Sequence, residues 1–321
     1  MRILVTGGAG FIGSHLCERL VNDGHSVTAI DDFSTGCASN LANLAGKDGF
    51  TLIEGSILDR NQLHPLIEDS EYIFHLAAAV GVFNIVKNSL ASLLTNIRGT
   101  ENILELAYLT NTPVFLTSSS EVYGKNISDS LKESDDRILG SPITLRWSYS
   151  EAKAIDESLA YAYFVEKHLE TRIVRFFNTV GPRQLGAYGM VVPRFIKSAL
   201  VNEPITIYGD GNQTRCFAHV YDVIDAVIAI AFAGNTIGKV INIGNDFEIS
   251  INGLAQRIIA ETGSKSEIVY VPYEEAYGDG FEDMERRVPN IELINQLVGW
   301  KPKRDLKTMI SDISEEMARN S

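Results

Sequence analysis

The chain of 321 residues has few cysteines. Its three cysteines, Cys17, Cys37 and Cys216, are far apart, and no C-x-x-C or H-x-x-x-H pattern occurs. A disulfide scaffold is therefore excluded, and no metal site is indicated, because structural zinc sites need closely spaced thiol and imidazole ligands. We interpret the three thiols as buried or surface groups of a protein in a reducing cytosol.

Basic residues and long apolar runs are also scarce. The 28 Lys and Arg residues against 41 Asp and Glu residues give a net charge of −13, which argues against a nucleic-acid partner. The longest apolar run, 226–234, is far shorter than the ~20 residues that span a bilayer. Met1 and Arg2 lead directly into a short apolar strand and a glycine loop, unlike a signal peptide. These features predict a cytoplasmic protein with no membrane partner.

Short apolar, β-branched segments alternate with helical periodicity in the first half of the chain. Residues 2–6 predict a strand, the spacing of apolar residues from Phe11 to Leu20 predicts a helix, and 26–30 predict a second strand. The same rhythm predicts further strands at 51–54, 72–76, 113–117 and 171–177. The alternation indicates an α/β protein with a Rossmann-type, doubly wound parallel sheet and helices on both faces.

Three glycines, Gly7, Gly10 and Gly13, lie between the first strand and the first helix. The first allows a tight turn, the second lets the backbone approach a pyrophosphate, and the third lets the helix pack closely on the strand. The helix N-terminus then offers N–H groups and a positive dipole end to phosphates. Asp31 ends the second strand, where a carboxylate binds a ribose 2′-hydroxyl, and Asp31-Asp32 without a nearby arginine favours NAD over NADP. A purely structural turn is the alternative.

Tyr149 and Lys153 are four residues apart on a predicted helix over 149–166 and therefore share one face. An ammonium beside a phenol stabilises the phenolate and lowers the phenol pKa towards that of a usable general base. The spacing by itself is common on helix surfaces. Well over a hundred residues after a dinucleotide motif, it predicts the base of a hydride-transfer enzyme.

Hydroxyl side chains at 117–120, followed by Glu121, come directly after the fifth strand. Ligands of doubly wound sheets bind beyond the carboxyl ends of the strands. We expect these hydroxyls to bind a substrate hydroxyl and Glu121 to act as an acid or base. A polar turn capped by serines is the alternative.

The pattern changes after about residue 178. Helices are predicted near 191–202 and 220–233, short strands near 205–208, 239–243 and 268–271, glycine turns at 209–211 and 278–280, and an amphipathic helix over 306–318. We predict an NAD-binding Rossmann domain over 1–178. Residues 179–321 are predicted to form mainly a smaller, mixed α/β substrate-binding lobe, with some segments returning to the sheet.

These motifs, together with His75-Leu-Ala-Ala, Ser120-Glu-Val-Tyr-Gly and the stretch 175–183, resemble the extended short-chain dehydrogenase/reductase family of NAD-dependent nucleotide-sugar enzymes over essentially the whole chain. The resemblance implies catalytic roles for Ser119, Ser120, Glu121, Tyr149 and Lys153. It implies cofactor contacts, besides those of the glycines and Asp31, by Phe11, Ile12, Asp32, Ser56, Ile57, Leu76, Ala77, Ala78, Tyr149 and Lys153. It implies substrate contacts by Asn178 near the diphosphate, by Val192 in the nucleotide pocket, and by Arg215 and Arg287 on the phosphates.

The resemblance leaves the reaction open among three outcomes. In this family the tyrosine takes the C4 hydroxyl proton and NAD takes the C4 hydride, and the 4-keto sugar is then epimerised, dehydrated or decarboxylated. Dehydratases typically carry Asp at the position of Ser120, and galactose-type epimerases lack a carboxylate at that of Glu121. Ser-Glu-Val-Tyr-Gly is the form found in UDP-glucuronate decarboxylases, and 146–153 and 277–289 also resemble a bacterial decarboxylase of UDP-glucuronate. The loop at 75–82 departs from both decarboxylase branches.

The expected function is therefore NAD-dependent decarboxylation of UDP-glucuronate, with or without re-reduction to UDP-xylose. The alternatives are a C4-epimerase acting on UDP-glucose or UDP-glucuronate, then a 4,6-dehydratase. A catalytically silent NAD-binding protein is the non-enzyme alternative, against which the intact serine, tyrosine and lysine argue. The resemblance also implies a homodimer joined through a four-helix bundle. Leu159, Ala162 and Tyr163 are compatible with such a bundle and equally with core burial.

Overall fold

The computed structural model describes residues 1–81, 88–186, 190–272, 275 and 284–319. The strands are β1 (Arg2–Thr6), β2 (Ser26–Asp31), β3 (Phe50–Glu54), β4 (Tyr72–His75), β5 (Val114–Ser119), β6 (Thr171–Phe176), β7 (Thr179–Val180), β8 (Ile205–Tyr208), β9 (Thr214–Cys216), β10 (Ala218–His219), β11 (Val240–Ile243), β12 (Glu248–Ser250) and β13 (Ile268–Val271). The helices are α1 (Phe11–Asn22), α2 (Arg60–Glu68), α3 (Ser89–Thr110), α4 (Ser148–Lys167), α5 (Val191–Leu200), α6 (Val220–Ala231), α7 (Ile251–Thr262), α8 (Glu292–Val298) and α9 (Leu306–Arg319).

Seven strands form one parallel sheet in the order β11-β6-β5-β4-β1-β2-β3. The chain winds outwards from β1 to β3, then returns to the other side of β1 and winds the opposite way from β4. The direction therefore reverses between β1 and β4, and a crevice opens there at the carboxyl ends of the strands. The predicted doubly wound Rossmann fold is confirmed.

Helices cover both faces of the sheet because its strands are apolar on both sides. In β1, Ile3 and Val5 belong to a core shared with α1, α6 and α8, whereas Leu4 belongs to a second core with α2, α3 and α4. Alternate residues of an extended strand point to opposite faces, so a continuous apolar run serves two cores at once.

A smaller unit stands beside the sheet. Helices α5, α7 and α9 enclose a third core with β8, built around buried apolar side chains such as Phe195, Ile207, Leu254 and Ile310. Two-stranded pairs, β13 with β8 and β12 with β9, line this unit. The division of the chain at residue 178 stays a prediction. The strand β11 follows that point in the chain and pairs with β6 in the main sheet.

The fifth strand is longer than predicted. It runs to Ser119 because Ser118 and Ser119 remain in register with Arg175 and Phe176 of β6. Thr117, Ser118 and Ser119 therefore end the strand, and Ser119 also caps the 3-10 turn Ser120–Tyr123, its hydroxyl accepting a hydrogen bond from Glu121 N–H. The predicted glycine turn at 278–280, the residues 277–283 of the stretch 277–289, and Val82 of the loop 75–82 lie outside the described residues. No helix in the described part of the chain is long and apolar enough to cross a membrane.

A buried carboxylate ties the last helix to the sheet. Asp222 of α6 is almost fully buried, and its oxygens accept hydrogen bonds from the backbone N–H groups of Lys303 and Arg304, at 3.0 and 2.8 Å, and from the Arg304 guanidinium. The indole of Trp300 donates to the Asp222 carbonyl at 3.0 Å. Since α6 packs on the sheet, this cluster anchors the segment that leads into α9 of the smaller unit.

We expect Asp222→Ala to lower the free energy of unfolding by about 3 kcal/mol, because it removes a buried carboxylate that accepts from two backbone N–H groups and a guanidinium. Asp225→Ala on the same helix is the matched control. The Asp225 side chain is 37% exposed in its ion pair with Arg19, and its loss is expected to cost less than ~1 kcal/mol. Urea unfolding of both variants measures the difference, and equal losses would contradict the anchoring role.

Candidate active site

A cavity of about 710 Å³ opens at the carboxyl ends of the central strands and extends to the smaller unit. Its wall includes the glycine loop after β1, the ends of β2 and β5, the segments after β4 and β6, and the first turn of α5. Every predicted site residue except Ser56 borders it. The structure thus brings the predicted cofactor, catalytic and substrate residues into one space.

The glycine loop leaves no room for side chains. Gly7 has a φ of +70°, and a Cβ there would lie 2.8 Å from the Ala77 nitrogen. A Cβ on Gly13 would lie 2.1 Å from the Gly7 carbonyl oxygen. Gly10 caps α1, whose first turn, Phe11 to Gly13, borders the cavity with N–H groups that have no partner within a helix. This cradle fits the pyrophosphate of a dinucleotide.

Asp31, the last residue of β2, stabilises the glycine loop by hydrogen bonding. One of its carboxylate oxygens accepts a hydrogen bond from Ala9 N–H and the other from Phe33 N–H, both at 2.9 Å. Burial raises the pKa of Asp31, and these N–H groups oppose the rise. Asp32 beside it is exposed and accepts from Ser34 N–H at 3.0 Å. Asp31 is the residue that would bind the ribose hydroxyls of NAD.

The segments after β3 and β4 form the next part of the wall. Ile57 borders the cavity and packs under Gly99 of α3, where a Cβ would lie 2.2 Å from the Ile57 side chain. Ser56 does not border the cavity, because its hydroxyl accepts a hydrogen bond from Leu58 N–H at 3.2 Å in the turn before α2. Leu76 and Ala77 donate to Thr6 of β1 and, with Ala78, line the cavity.

Ser119, Tyr149 and Lys153 converge where β5 meets α4. The Ser119 hydroxyl lies near the Tyr149 phenol and lowers its pKa. The Lys153 ammonium is buried and donates to the Thr117 carbonyl at 3.0 Å. Burial raises the pKa of Tyr149, the Glu121 and Asp156 carboxylates raise it further, and the Ser119 hydroxyl opposes them. The phenol is therefore protonated in this state, contrary to the shift expected from a neighbouring lysine considered alone.

Glu121 lies between two arginines. Its oxygens accept hydrogen bonds from Arg146 and Arg287, each at 2.6 Å, and its side chain is only 14% exposed. Burial by itself would raise the pKa of Glu121, but the two guanidinium groups outweigh burial and lower the pKa to about 2. We call these three residues the arginine–glutamate cluster. It carries one negative and two positive charges, with the buried Ser120 beside it.

The predicted substrate residues form the far side of the cavity. Arg287 also donates to the Asn178 side-chain oxygen at 3.1 Å, so Asn178 is joined to the arginine–glutamate cluster. Val192 is fully buried in the first turn of α5. Arg215 of β9 is largely buried and donates to the Thr214 carbonyl at 2.8 Å.

Arg146, Arg194 and Tyr208 are among the cavity-wall residues that the sequence analysis gave no individual role. Arg146 was noted only within a resembling stretch, although its position one helical turn before Tyr149 is a usable signal. Arg194 stacks on the Tyr208 ring, with 4.4 Å from the guanidinium carbon to the ring centroid. Such a flat surface suits a planar base, and no short spacing links these two residues in the sequence.

The fold and this site together define a class of protein. Residues 3–244 match the NAD dependent epimerase/dehydratase family, to which the chain belongs. The expected family is confirmed. The chain is an enzyme of this family, and its cofactor is NAD.

Two sequence relatives and one solved structure are similar to this chain. The chain is 43% identical over 302 residues to UDP-N-acetyl-alpha-D-glucosaminuronate decarboxylase of Bacillus cytotoxicus, which covers 94% of this chain and 92% of that protein. It is 37% identical over 303 residues to UDP-glucuronic acid decarboxylase 1 of Xenopus tropicalis, with 94% and 68% covered. The crystal structure of UDP-glucuronic acid 4-epimerase from Bacillus cereus, in complex with UDP-glucuronic acid and NAD, has a TM-score of 0.90 at 29% identity and covers both chains fully.

We expect Gly13→Ala to weaken NAD binding at least ~10-fold and to cost about 2 kcal/mol of stability, since the new methyl group must push the Gly7 carbonyl away from the phosphate cradle. Gly234→Ala is the control, because a Cβ there has no atom within 4 Å among the described residues. Calorimetric titration with NAD⁺ and urea unfolding measure both effects. Wild-type NAD affinity in Gly13→Ala would contradict the cradle.

The pKa of Glu121 predicts an acid-dependent loss of stability. Because the pKa falls from 4.5 to about 2 on folding, the ionised carboxylate contributes stability that is complete above pH 4.5 and is lost as the pH falls towards 2. The free energy of unfolding of the wild type should exceed that of Glu121→Gln by about 3 kcal/mol at pH 7, and this difference should become smaller below pH 4.5.

Urea unfolding at several pH values tests this expectation. Glu151→Gln is the control, since the Glu151 side chain is 43% exposed in its ion pair with Arg137 and such pairs contribute less than ~1 kcal/mol. A difference in free energy of unfolding between wild type and Glu121→Gln that does not change with pH would show that the charge of Glu121 is not the source of the added stability.

Proposed function

We propose that this protein is a UDP-hexuronate decarboxylase, a carboxy-lyase that oxidises C4 of the sugar and then releases the C6 carboxylate as CO₂. The observation that carries the proposal is the arginine–glutamate cluster beside Ser119 and Tyr149. The names of the two curated decarboxylases support the same reaction and the UDP group.

The charge of the cluster suits an acidic sugar. The guanidinium groups of Arg146 and Arg287 flank the Glu121 carboxylate inside a largely buried wall. Guanidinium groups form strong, charge-assisted hydrogen bonds with carboxylates, and a hexuronate brings one carboxylate to this wall. A neutral hexose offers no such group.

The protonation state of Glu121 argues against the dehydratase alternative. Elimination of water needs an acid that protonates the departing hydroxyl. A carboxyl group with a pKa of about 2 is ionised at neutral pH and has no proton to give. Ser120 occupies the position where dehydratases typically carry Asp, and its hydroxyl is a far weaker acid.

The residues of the chain account for the first step. When bound, NAD⁺ supplies the oxidant for C4 of the sugar. Once the binding of cofactor and substrate has left Tyr149 as the phenolate, Tyr149 accepts the C4 hydroxyl proton, and the neighbouring Ser119 holds the same oxygen. Lys153 lies in the cavity wall one helical turn from Tyr149 and stabilises the phenolate.

The second step follows from the position of the carboxylate. Once C4 is a ketone, C6 is β to it, so the C5–C6 bond breaks and its electron pair enters the C4 carbonyl as an enolate while CO₂ leaves. Ser119 and Tyr149 hold the enolate oxygen. A proton from solvent then adds to C5. Ionised Glu121 keeps Arg146 and Arg287 in place while CO₂ leaves and the proton is added.

A second candidate is a 4-epimerase of UDP-glucuronate. The favouring observation is the TM-score of 0.90 to the Bacillus cereus epimerase. Both reactions share the oxidation of C4, in which Tyr149 is the base, and the recognition of a carboxylate. They separate only after C4 is oxidised, when the epimerase must turn the keto sugar and keep its carboxylate.

The proposal extends to assembly and location. A homodimer is supported by the packed pair α3 and α4, which exposes apolar side chains on its outer face: Leu109, Ile155, Tyr161 and Val165. A cytoplasmic location is part of the proposal, supported by the use of NAD and a nucleotide sugar.

The proposal is tested by incubating the protein with NAD⁺ and, separately, UDP-glucuronate, UDP-N-acetylglucosaminuronate and UDP-glucose, with mass spectrometry of the products. From at least one uronate we expect a mass loss equal to CO₂ if C4 is re-reduced, or equal to CO₂ and two hydrogens if the 4-keto pentose is released with NADH, and we expect no reaction of UDP-glucose. An isobaric product distinguished by NMR would establish the epimerase. A loss of water, or no turnover of either uronate, would refute the decarboxylase.

Glu121→Gln is expected to reduce NAD⁺ with the uronate but to release CO₂ at least ~100-fold more slowly, because the arginines lose the anion that orients them. Glu151→Gln serves again as the control. Unchanged CO₂ release in Glu121→Gln would remove this residue from the mechanism.

A further inference from the structure

A buried aspartate lies one turn beyond the catalytic lysine. Tyr149, Lys153 and Asp156 follow each other at spacings of four and three residues, which places them on one face of α4. Asp156 is fully buried, and its Oδ2 accepts a hydrogen bond from the Lys153 ammonium at 3.2 Å. Since Thr117 O takes a second N–H, one proton of the ammonium is left for the cavity side.

The far side of Asp156 meets a hydrogen-bonded chain through the sheet. Ala77 N–H donates to the Thr6 hydroxyl at 3.2 Å, that hydroxyl lies 2.8 Å from His75 Nδ1, and His75 Nε2 lies 3.2 Å from the Thr100 hydroxyl. Thr100 in turn lies near the Asp156 side chain and lowers its pKa.

The directions along this chain are determined by the histidine. Burial and the neighbouring Lys153 lower the pKa of His75 to about 3, so its ring is neutral and carries one N–H. With Thr6 donating to Nδ1, His75 donates from Nε2 to Thr100. The Oδ2 atom of Asp156 accepts from Lys153, whereas its buried Oδ1 atom has no hydrogen-bond partner among the described residues.

We propose that Asp156 is a positioning residue that acts through Lys153 to set the proton affinity of Tyr149. The inference rests on the proposed function only in taking Tyr149 as the base. The ionised Asp156 offsets the ammonium charge that would otherwise favour the phenolate. The phenol therefore keeps its proton until cofactor and substrate add their own interactions.

The charged groups around both residues agree with this role. Tyr149 is faced by the carboxylates of Glu121 from the end of β5 and Asp156 from α4, both of which raise its pKa, and by the Ser119 hydroxyl, which lowers it. Burial raises the pKa of Asp156, Lys153 and Thr100 lower it, and the neighbouring Glu157 raises it.

The next residue on the helix has a different task. Glu157 accepts hydrogen bonds from Ser118 at 2.6 Å and from two nitrogens of Arg175 at 2.9 and 2.7 Å. Its charge is therefore matched by its own arginine. Of the two adjacent buried acids, Asp156 is the one that contacts the catalytic lysine.

The test is an ultraviolet titration of tyrosinate in the NAD⁺-bound holoenzyme, with each protein referenced to its own Tyr149→Phe counterpart so that only Tyr149 is observed. We expect Asp156→Asn, which keeps the shape and the acceptor for Lys153 but removes the charge, to lower the Tyr149 midpoint by roughly one pH unit. Glu151→Gln removes the same charge from an exposed part of α4 and should leave the Tyr149 midpoint within ~0.2 pH units of the wild-type value.

A midpoint in Asp156→Asn that equals or exceeds the wild-type value would overturn the proposal. If that variant does not fold, Asp156→Ser is measured in its place, and failure of both to fold would make Asp156 a structural residue only and would equally overturn it. The titration uses no sugar nucleotide. A shifted midpoint with no turnover of any uronate would thus refute the proposed function alone, and turnover with an unshifted midpoint would refute this inference alone.

Discussion

The shared carboxylate of Glu121 is the interaction on which the site depends. It draws together the end of β5, the turn before α4 that carries Arg146, and the segment around 287, which are far apart in the sequence. Without this anion, two largely buried guanidinium groups would repel each other, and removal of one partner from a buried ion pair typically costs 3–5 kcal/mol. Arg287 extends the cluster to Asn178, so the catalytic edge of the sheet is bonded directly to the substrate side of the cavity.

The charges of the site form one connected set. Glu121 and Asp156 are the two anions nearest Tyr149, and the cations Arg146, Arg287 and Lys153 pair with them. These paired cations lie in a chain whose net charge is −13. An acidic surface and a locally cationic pocket are therefore compatible, and the pocket suits an anionic substrate because it is mostly screened from water.

Local patterns predicted the fold and the central part of the site. The glycines 7, 10 and 13, the pair Tyr149 and Lys153, and the strand ends are encoded by short spacings, because they depend on one turn or one helix face. The role of Arg146 was not predictable in this way, since its partner Glu121 is 25 residues away and meets it only through the tertiary fold. Asp156 lies on the same face as Tyr149 and Lys153, but nothing in the spacing tells a buried acid from an exposed one. The length of β5 was underestimated because Ser118 and Ser119 are weak strand formers that pairing with β6 holds in the sheet.

The central claim is that the arginine–glutamate cluster recognises the carboxylate of an acidic sugar. The most direct measurement compares the affinities of UDP-glucuronate and UDP-glucose for the NAD⁺-bound Tyr149→Phe protein, in which binding is observed without turnover. Isothermal titration calorimetry should give a dissociation constant at least ~10-fold lower for the uronate, as expected for one additional charge-assisted hydrogen-bonded pair. Equal affinities for the two sugar nucleotides would contradict the account.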